Sequence, residues 1–215
     1  MYLAIEGVIG VGKTTLARLL QPAFQGNLLL EVFEENPFLS KFYADRQRYA
    51  FQTQMFFLLS RFRQQRQSIP LLLAEDKPLI TDYVFEKDAL FASINLDGDE
   101  LEMYYRVHQA LAEQIARPNL VVYLRADTDI LMQRIALRDR SYERDMERHY
   151  IDALNKAYDR LFLNQTPYPV LVIDTDPLDY VRYPADLQWV ENRIRQELQL
   201  APFQPALPLE VESRG

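Results

Sequence analysis

A glycine-rich segment near the amino terminus carries the strongest chemical signal in the sequence. Residues 7–14 read GVIGVGKT and fit the pattern G-x-x-x-x-G-K-[ST]. The glycines let the backbone curl so that its N–H groups point at a polyphosphate, and the helix that follows adds a favourable dipole. Lys13 can bridge the β- and γ-phosphates, and the Thr14 hydroxyl is placed to ligate Mg²⁺. The segment predicts a nucleoside triphosphate site whose contacts are Gly7, Val8, Ile9, Gly10, Val11, Gly12, Lys13, Thr14 and Thr15.

A carboxylate near the end of the second apolar segment is a candidate general base. Residues 28–33 predict a strand, and Glu31 closes its apolar part. Open α/β sheets bind ligands at the carboxyl ends of their strands, where a carboxylate can take a proton from a substrate hydroxyl. The spacing alone fits a surface glutamate at a strand end equally well.

The long helical segment that follows places an amide and a guanidinium on one face. Gln54, Leu58 and Arg61 stand at i, i+4 and i+7, among many aromatic and aliphatic residues. This combination suits recognition of the edge of a nucleobase, with rings available for stacking. The alternative is that Gln54 and Arg61 lie on the solvent face of the helix.

Clustered arginines after the fourth apolar segment predict a lid over transferring phosphate. Arg134, Arg138 and Arg140 are followed by Glu143 within a highly charged stretch at about 138–148. Arginines in such a position neutralise the charge that develops during phosphoryl transfer. A solvated, salt-bridged helix end is the alternative, and the density of arginine favours the lid.

Strand and helix patterns alternate along the chain. They predict an α/β fold of the P-loop NTPase type, with three α/β/α layers and a five-stranded parallel sheet flanked by helices. Residues 1–200 are expected to form a single domain, and the proline-rich residues 201–215 a loosely ordered tail. Pro70 and Pro78 predict a break after the long helix. The strands are expected at 2–6, 28–33, 78–82, 119–124 and 169–174, and the helices at 13–20, 38–67, 86–94, 99–116, 128–137, 147–163 and 184–199.

Composition excludes several other classes of function. The 215 residues include 24 Lys and Arg against 31 Asp and Glu, a formal net charge of −7, which argues against a general nucleic-acid binder. The absence of cysteine excludes disulfides and thiolate catalysis, and two histidines suggest no histidine metal cluster. The longest apolar runs are strand-sized, so no membrane association is expected. A cytoplasmic protein is the default expectation.

Taken together, these segments resemble the deoxynucleoside kinase family over about residues 1–175. The stretch LLLEVFEENPFLSKFYAD is similar to the family segment that begins with the catalytic glutamate, which corresponds to Glu31, and IALRDRSYE looks like the family lid. The resemblance implies that ATP and Mg²⁺ are bound and that Lys13, Arg138 and Arg140 stabilise the transferring phosphate. It further implies nucleotide contacts from Arg134 and Arg138, base contacts from Gln54, Arg61 and Asp88, and sugar contacts from Tyr43, Glu143 and, behind it, Tyr150.

The chain departs from this family after the third strand. The family usually carries Asp/Glu-Arg-Ser/Thr there, whereas this chain has Asp82-Tyr83-Val84. Asp82 remains where an acidic group near Mg²⁺ is expected, beside Thr14. The arginine that would help to hold Glu31 is replaced by Tyr83, and Lys87 is the nearest cation that could substitute if its helix points it inward.

The leading hypothesis is an enzyme that transfers the γ-phosphate of ATP to the 5′-hydroxyl of a deoxynucleoside. A nucleoside monophosphate kinase would need another cation near Glu31, and residues 28–40 contain none. A nucleotide-binding regulator with weakened catalysis would be expected to have lost Glu31, Asp82 or the lid. A nucleic-acid-dependent ATPase is disfavoured by the net charge. The resemblance implies a homodimer. Deoxyadenosine, deoxyguanosine and deoxycytidine all remain open as substrates, whereas an Arg–Asp pair disfavours thymidine.

Overall fold

The computed structural model of the protein describes residues 1–32, 35–164 and 166–202. Within them the chain folds around one parallel sheet with the strand order β2-β3-β1-β4-β5. Most of the predicted tail, from residue 203 onward, lies outside the described residues. The strands are β1 (Tyr2–Gly7), β2 (Asn27–Leu29), β3 (Leu79–Thr81), β4 (Leu120–Arg125) and β5 (Val170–Asp174).

Helices connect successive strands and cover the sheet, which confirms the predicted three-layer fold of the P-loop NTPase type. They are α1 (Lys13–Phe24), α2 (Leu39–Ala44), α3 (Arg46–Leu73), α4 (Lys87–Asn95), α5 (Gly98–Ala112), α6 (Thr128–Arg138), α7 (Arg148–Asn164) and α8 (Pro184–Glu197), with a single 3₁₀ turn at Ser141–Glu143. In the described part of the chain, no helix combines the length and the apolar character needed to cross a membrane.

The centre of the sheet is its most buried part. All residues of β1 are buried, as are those of β4 up to Leu124. Central parallel strands have helices on both faces, so their side chains are buried in both directions and their sequences are continuously apolar. Glu6 is the exception in β1, because its carboxylate is fully buried beside the glycine-rich loop.

Three predicted features of the fold are wrong. The helix expected at 38–67 is divided at Asp45, whose extended backbone separates α2 from α3 and whose side chain caps α3. α3 continues through Pro70 to Leu73, whereas a break was expected at that proline. Pro70 lies in the last turn, where its missing N–H removes only one helical hydrogen bond, and its carbonyl still accepts from Ala74 at 3.1 Å. β2 ends at Leu29, so Glu31 lies in the segment after the strand and does not close it.

Candidate active site

A cavity of about 320 Å³ lies beyond the carboxyl ends of β1, β2 and β3. It brings together predicted residues from the loop after β1, the segments after β2 and β3, helix α3 and the charged segment after α6. Gly7, Val8, Val11, Asp88 and Arg134 do not line it. The predicted residues that do are Ile9, Gly10, Gly12, Lys13, Thr14, Thr15, Glu31, Tyr43, Gln54, Arg61, Asp82, Arg138, Arg140, Glu143 and Tyr150.

The backbone of the glycine-rich loop adopts a conformation that residues other than glycine reach only with strain. Gly10 and Gly12 have φ angles of +89° and +104°, in the left-handed region that favours glycine. A Cβ atom on Gly10 would lie 2.7 Å from Cγ1 of Ile135. The Nζ atom of Lys13 donates to the carbonyl oxygen of Gly7 at 2.6 Å, so the ammonium lies across the loop. Burial lowers the pKa of Lys13 to about 8, and the Glu6 carboxylate partly offsets this.

The two candidate metal ligands meet at the start of α1. The Thr14 hydroxyl donates to Oδ2 of Asp82 at 2.5 Å, and Oδ1 of Asp82 accepts the backbone N–H of Glu31 at 2.7 Å. A hydroxyl and a carboxylate are hard oxygen ligands that fit Mg²⁺. The described residues contain no group of three or more His, Cys, Asp or Glu that would bind a metal without help. This donor set therefore suits an ion that keeps waters and shares phosphate oxygens.

Glu31 is held between two cations. Its Oε1 accepts from Nε of Arg61 at 2.8 Å and also from Nη2 of Arg61, while Oε2 accepts from Nζ of Lys87 at 2.5 Å. Burial alone would raise the pKa of Glu31, but the charges of Arg61 and Lys87 outweigh it and hold this pKa well below its usual range. The carboxylate is therefore ionised at neutral pH. Lys87 does point into the cavity.

Arg61 connects Glu31 to a second buried carboxylate. Its Nη1 donates to Oδ1 of Asp88, a residue that is fully buried behind the cavity wall. The guanidinium also lies 4.4 Å from the ring centroid of Phe57, within range of a cation–π interaction. Gln54 and Arg61 are 2% and 7% exposed, so the alternative that they face solvent is wrong.

The charged segment after α6 folds against the other end of the cavity. Glu143 is buried and accepts from Nη2 of Arg138 at 2.6 Å, and Nη1 of Arg140 lies 3.6 Å from its other carboxylate oxygen. Tyr43 stacks on Tyr142 with ring centroids 5.8 Å apart. The structure thus places two of the three lid arginines, Arg138 and Arg140, around the Glu143 carboxylate, which the family resemblance implies only as a sugar contact.

Two predicted contacts occupy supporting positions. The hydroxyl of Tyr150 accepts from Asn95 at 3.2 Å, which ties α7 to α4 beside the cavity. Arg134 donates to the Thr175 hydroxyl at 2.9 Å and lies 3.4 Å from the carbonyl oxygen of Val11. Arg134 therefore joins α6, the segment after β5 and the glycine-rich loop.

Sequence reasoning missed several residues that shape the site. Phe42, Phe91 and Tyr158 line the cavity, and Gln64 accepts from Tyr83 behind it. Nothing in the spacing of these aromatic residues separates them from ordinary core residues. Glu6 did carry a signal, because a charged residue inside an apolar strand, directly before the glycine-rich loop, demands a buried partner.

Comparison with known proteins gives consistent similarities. A family model described as "Deoxynucleoside kinase" matches residues 3–199. The chain is 33% identical over 199 residues to a deoxyguanosine kinase of Bacillus subtilis, covering 91% of this chain and 96% of that protein. It is 35% identical over 176 residues to a deoxyadenosine kinase of Dictyostelium discoideum, covering 80% and 71%.

Solved structures show the same likeness. The structure of a deoxyadenosine kinase from M. mycoides with the products dCMP and a flexible dCDP bound has a TM-score of 0.80 and 26% identity, covering 91% of this chain and all of that one. The same enzyme with bound dATP has a TM-score of 0.79 and 25% identity, covering 91% of this chain and 99% of that one.

Proposed function

The chain belongs to the deoxynucleoside kinase family, and from that premise we propose which of its residues transfer the γ-phosphoryl group of ATP to the 5′-hydroxyl of a deoxynucleoside. The observation that carries the proposal is a single cavity. A glycine-rich phosphate loop lies on one side of it, an ionised carboxylate lies in the middle, and a buried amide and guanidinium lie on the other side.

The nucleotide side is assigned to the loop after β1. Residues 7–15 wrap the phosphates of ATP, and Lys13 turns from the loop carbonyl oxygens to the β- and γ-phosphates. Thr14 and Asp82 hold Mg²⁺, which when bound neutralises charge on the phosphate oxygens. Arg138 closes on the phosphates from the lid at about 138–148, and Arg134 supports the loop from behind. One domain, residues 1–200, contains all of these parts.

The nucleoside side is assigned to α3, α4 and the lid. Gln54 offers an amide donor and acceptor to the base, and Arg61 offers its guanidinium, oriented by Asp88. Tyr43 and Glu143 contact the sugar hydroxyl, and Tyr150 supports them. An Arg–Asp pair fits a base that carries an amino group or a purine edge better than it fits thymine. We therefore expect deoxyguanosine, deoxyadenosine or deoxycytidine to exceed thymidine in kcat/KM.

The chemical step is assigned to Glu31. Its carboxylate takes the proton of the 5′-hydroxyl as that oxygen bonds to the γ-phosphorus, and the bond from the γ-phosphorus to the β–γ bridging oxygen breaks to release ADP. Lys13, Arg138 and Arg140 stabilise the charge on the transferring group. Arg138 and Arg140 must exchange contacts with Glu143 for contacts with phosphate when the lid closes.

A homodimer is the proposed assembly. Leu59 on α3 and Met103 and Tyr105 on α5 are large apolar side chains with exposures of 49%, 56% and 40%, and α3 packs against α5. Large exposed apolar side chains on two helices that pack together are candidates for a contact between two copies of the chain. Light scattering of the intact chain tests this assembly, and a monomeric mass at micromolar concentration contradicts it.

The test of the function is Mg·ATP-dependent phosphorylation of the four deoxynucleosides and their monophosphates. Glu31→Gln should lower kcat by about 10² to 10⁴, the range for a lost general base. Glu35→Gln removes an exposed carboxylate nearby and is the matched control. Full activity of Glu31→Gln contradicts the assignment of the base. ATP binding without turnover of any acceptor would favour a nucleotide-binding regulator, and turnover of monophosphates alone would favour a monophosphate kinase.

A further inference from the structure

The segment from Asp82 to Lys87 contacts Glu31 at two points and reaches its neighbour Leu30 through Gln64 of α3. Oδ1 of Asp82 accepts the backbone N–H of Glu31 at 2.7 Å. The Tyr83 hydroxyl donates to Oε1 of Gln64 at 2.6 Å, and Nε2 of Gln64 donates to the carbonyl oxygen of Leu30 at 2.9 Å. Lys87 donates to Oε2 of Glu31 at 2.5 Å. Both polar groups of the Leu30–Glu31 peptide and the carboxylate itself are therefore fixed by this segment, with Gln64 as the link to the Leu30 carbonyl oxygen.

The two oxygens of the Glu31 carboxylate are not equivalent. Oε1 accepts two N–H groups of Arg61, which fill its two lone pairs. Oε2 accepts from Lys87 alone among the described residues, so it keeps one lone pair. A general base needs a lone pair within hydrogen-bond reach of the proton it removes. The oxygen that remains available in this arrangement is thus the one that Lys87 orients.

Lys87 is itself anchored on its far side. It is 3% exposed, and its Nζ lies 3.9 Å from Oε1 of Glu6 and 5.5 Å from the ring centroid of Tyr83. Glu6 is fully buried and accepts the backbone N–H groups of Gly7 at 2.8 Å and Val84 at 3.1 Å. A buried ammonium between two carboxylates, one of them tied to the backbone, has little freedom to move.

Arg61 differs from Lys87 in this respect. Its guanidinium is divided between Glu31 and Asp88, and its proposed partner in the working enzyme is the base of the nucleoside. Once a base engages Arg61, the contact between Arg61 and Glu31 weakens. Lys87 has no such competing role, because it lies between Glu31 and the Glu6 carboxylate beside the phosphate loop.

Resting on the function proposed above, we propose that Lys87 is a positioning residue for phosphoryl transfer. It holds the Glu31 carboxylate so that Oε2 accepts the proton of the 5′-hydroxyl, and Glu6 holds Lys87 in turn. Without Lys87, the carboxylate is pulled only toward Arg61 and the base pocket. The chemical step should then slow, while nucleoside binding, which relies on Gln54 and Arg61, should change little.

The experiment compares Lys87→Met, Lys87→Arg and the matched surface control Lys77→Met. For each variant, kcat and KM are measured for nucleoside and ATP, and the Kd of the nucleoside is measured by calorimetry. A misplaced reacting group costs on the order of 10²-fold in rate, so Lys87→Met should lose about that much in kcat with a Kd within about threefold of wild type. Lys87→Arg should recover at least about tenfold of the loss, and Lys77→Met should match wild type.

The double variant Glu6→Gln/Lys87→Met separates positioning from folding. Lys87→Met leaves Glu6 buried without its cation, which can itself destabilise the protein. Removing both charges should recover part of the melting temperature but not kcat, because the glutamine amide accepts only one of the two backbone N–H groups that Glu6 accepts. If the double variant restores kcat as well, or if Lys87→Met turns over within about threefold of wild type, Lys87 is structural and the proposal falls. In that case, loss of activity in Glu31→Gln in the same assay leaves the proposed function in place. Full activity of Glu31→Gln shows instead that Glu31 is not the base, and only a wild-type chain that phosphorylates no deoxynucleoside overturns the function itself.

Discussion

The buried ion pair between Arg61 and Asp88 makes an asymmetric prediction about stability. Asp88 is fully buried, its Oδ1 accepts from Arg61, and its Oδ2 has no hydrogen-bond partner among the described residues. Arg61 in contrast also donates twice to Glu31, which keeps Lys87 as a second partner. Removing the arginine therefore leaves an uncompensated charge, whereas changing Asp88 does not.

The magnitudes follow from these contacts. Arg61→Met leaves the Asp88 carboxylate buried and unpaired, which should cost about 3–5 kcal/mol in the free energy of unfolding. Asp88→Asn removes a charge but leaves an acceptor for Nη1, and Arg61 keeps Glu31, so the cost should be about 1–2 kcal/mol. The double variant Arg61→Met/Asp88→Asn has no unpaired charge at this position. It should be more stable than Arg61→Met alone by about 2 kcal/mol, a coupling typical of residues in contact.

Urea unfolding followed by circular dichroism measures these differences, provided that the m value stays constant across the series. In thermal melts the loss for Arg61→Met should be on the order of 10 °C for a chain of this size. Arg63→Met, two residues along the same helix and exposed, is the matched control and should change stability by no more than about 0.5 kcal/mol. The reasoning is refuted if Arg61→Met costs no more than Asp88→Asn, or if the double variant is no more stable than Arg61→Met.

Two further predictions concern the glycine-rich loop and a buried histidine. Gly10→Ala should weaken ATP binding at least about tenfold in calorimetry, because the φ of +89° disfavours any side chain and a Cβ would lie 2.7 Å from Cγ1 of Ile135. Gly98→Ala is the control, because Gly98 also has a positive φ, +49°, but has open space around it, and it should leave ATP binding unchanged. Burial lowers the pKa of His108, so its contribution to stability is complete above the ordinary histidine pKa and is lost as the pH falls below it. Unfolding of His108→Gln between pH 7 and pH 5 should therefore depend less on pH than that of wild type, and His149→Gln, an exposed histidine, should reproduce the wild-type dependence.

The order of the elements and the phosphate loop could be predicted from the sequence because both are local signals. A glycine pattern between an apolar strand and a helix specifies its backbone geometry within a few residues. Continuous apolar runs such as residues 119–124 indicate a buried parallel strand on their own. The strand predicted at 28–33 is too long, because strand length depends on pairing with a partner remote in the chain and only residues 27–29 pair with β3.

The faces of α3 show that hydrophobic patterns cannot predict which side chains of a helix are buried when the helix borders a polar cavity. Polar residues Thr53, Gln54, Arg61 and Gln65 are buried in this helix, whereas Leu59 and Leu71 are exposed. Hydrophobicity alone would assign these residues to the opposite faces, which is why a solvent-facing Gln54 and Arg61 stayed open as an alternative. For Gln54 and Arg61 the reversal arises because α3 borders a polar cavity on one side, and Arg61 finds its partners, Glu31 and Asp88, on distant segments. Thr53 Oγ1 and the side-chain amide of Gln65 have no hydrogen-bond partner among the described residues.

The missing arginine after β3 also shows that a sequence pattern alone does not reveal which residue supplies a charge to the site. When the sequence is compared with the family pattern position by position, Tyr83 in place of arginine indicates a lost contact to Glu31. In the structure, however, Lys87 at the start of α4 brings a cation to that carboxylate. What the site requires is a positive charge at a point in space, and a long flexible side chain can supply it from another position. An ammonium is a point charge, however, and cannot bind two oxygens in the fixed plane of a guanidinium. Orientation of Glu31 must therefore depend more on its backbone contacts, which Asp82 supplies directly and Tyr83 supplies through Gln64. The residue that replaced the arginine thus contributes to the same task by fixing the chain beside the carboxylate.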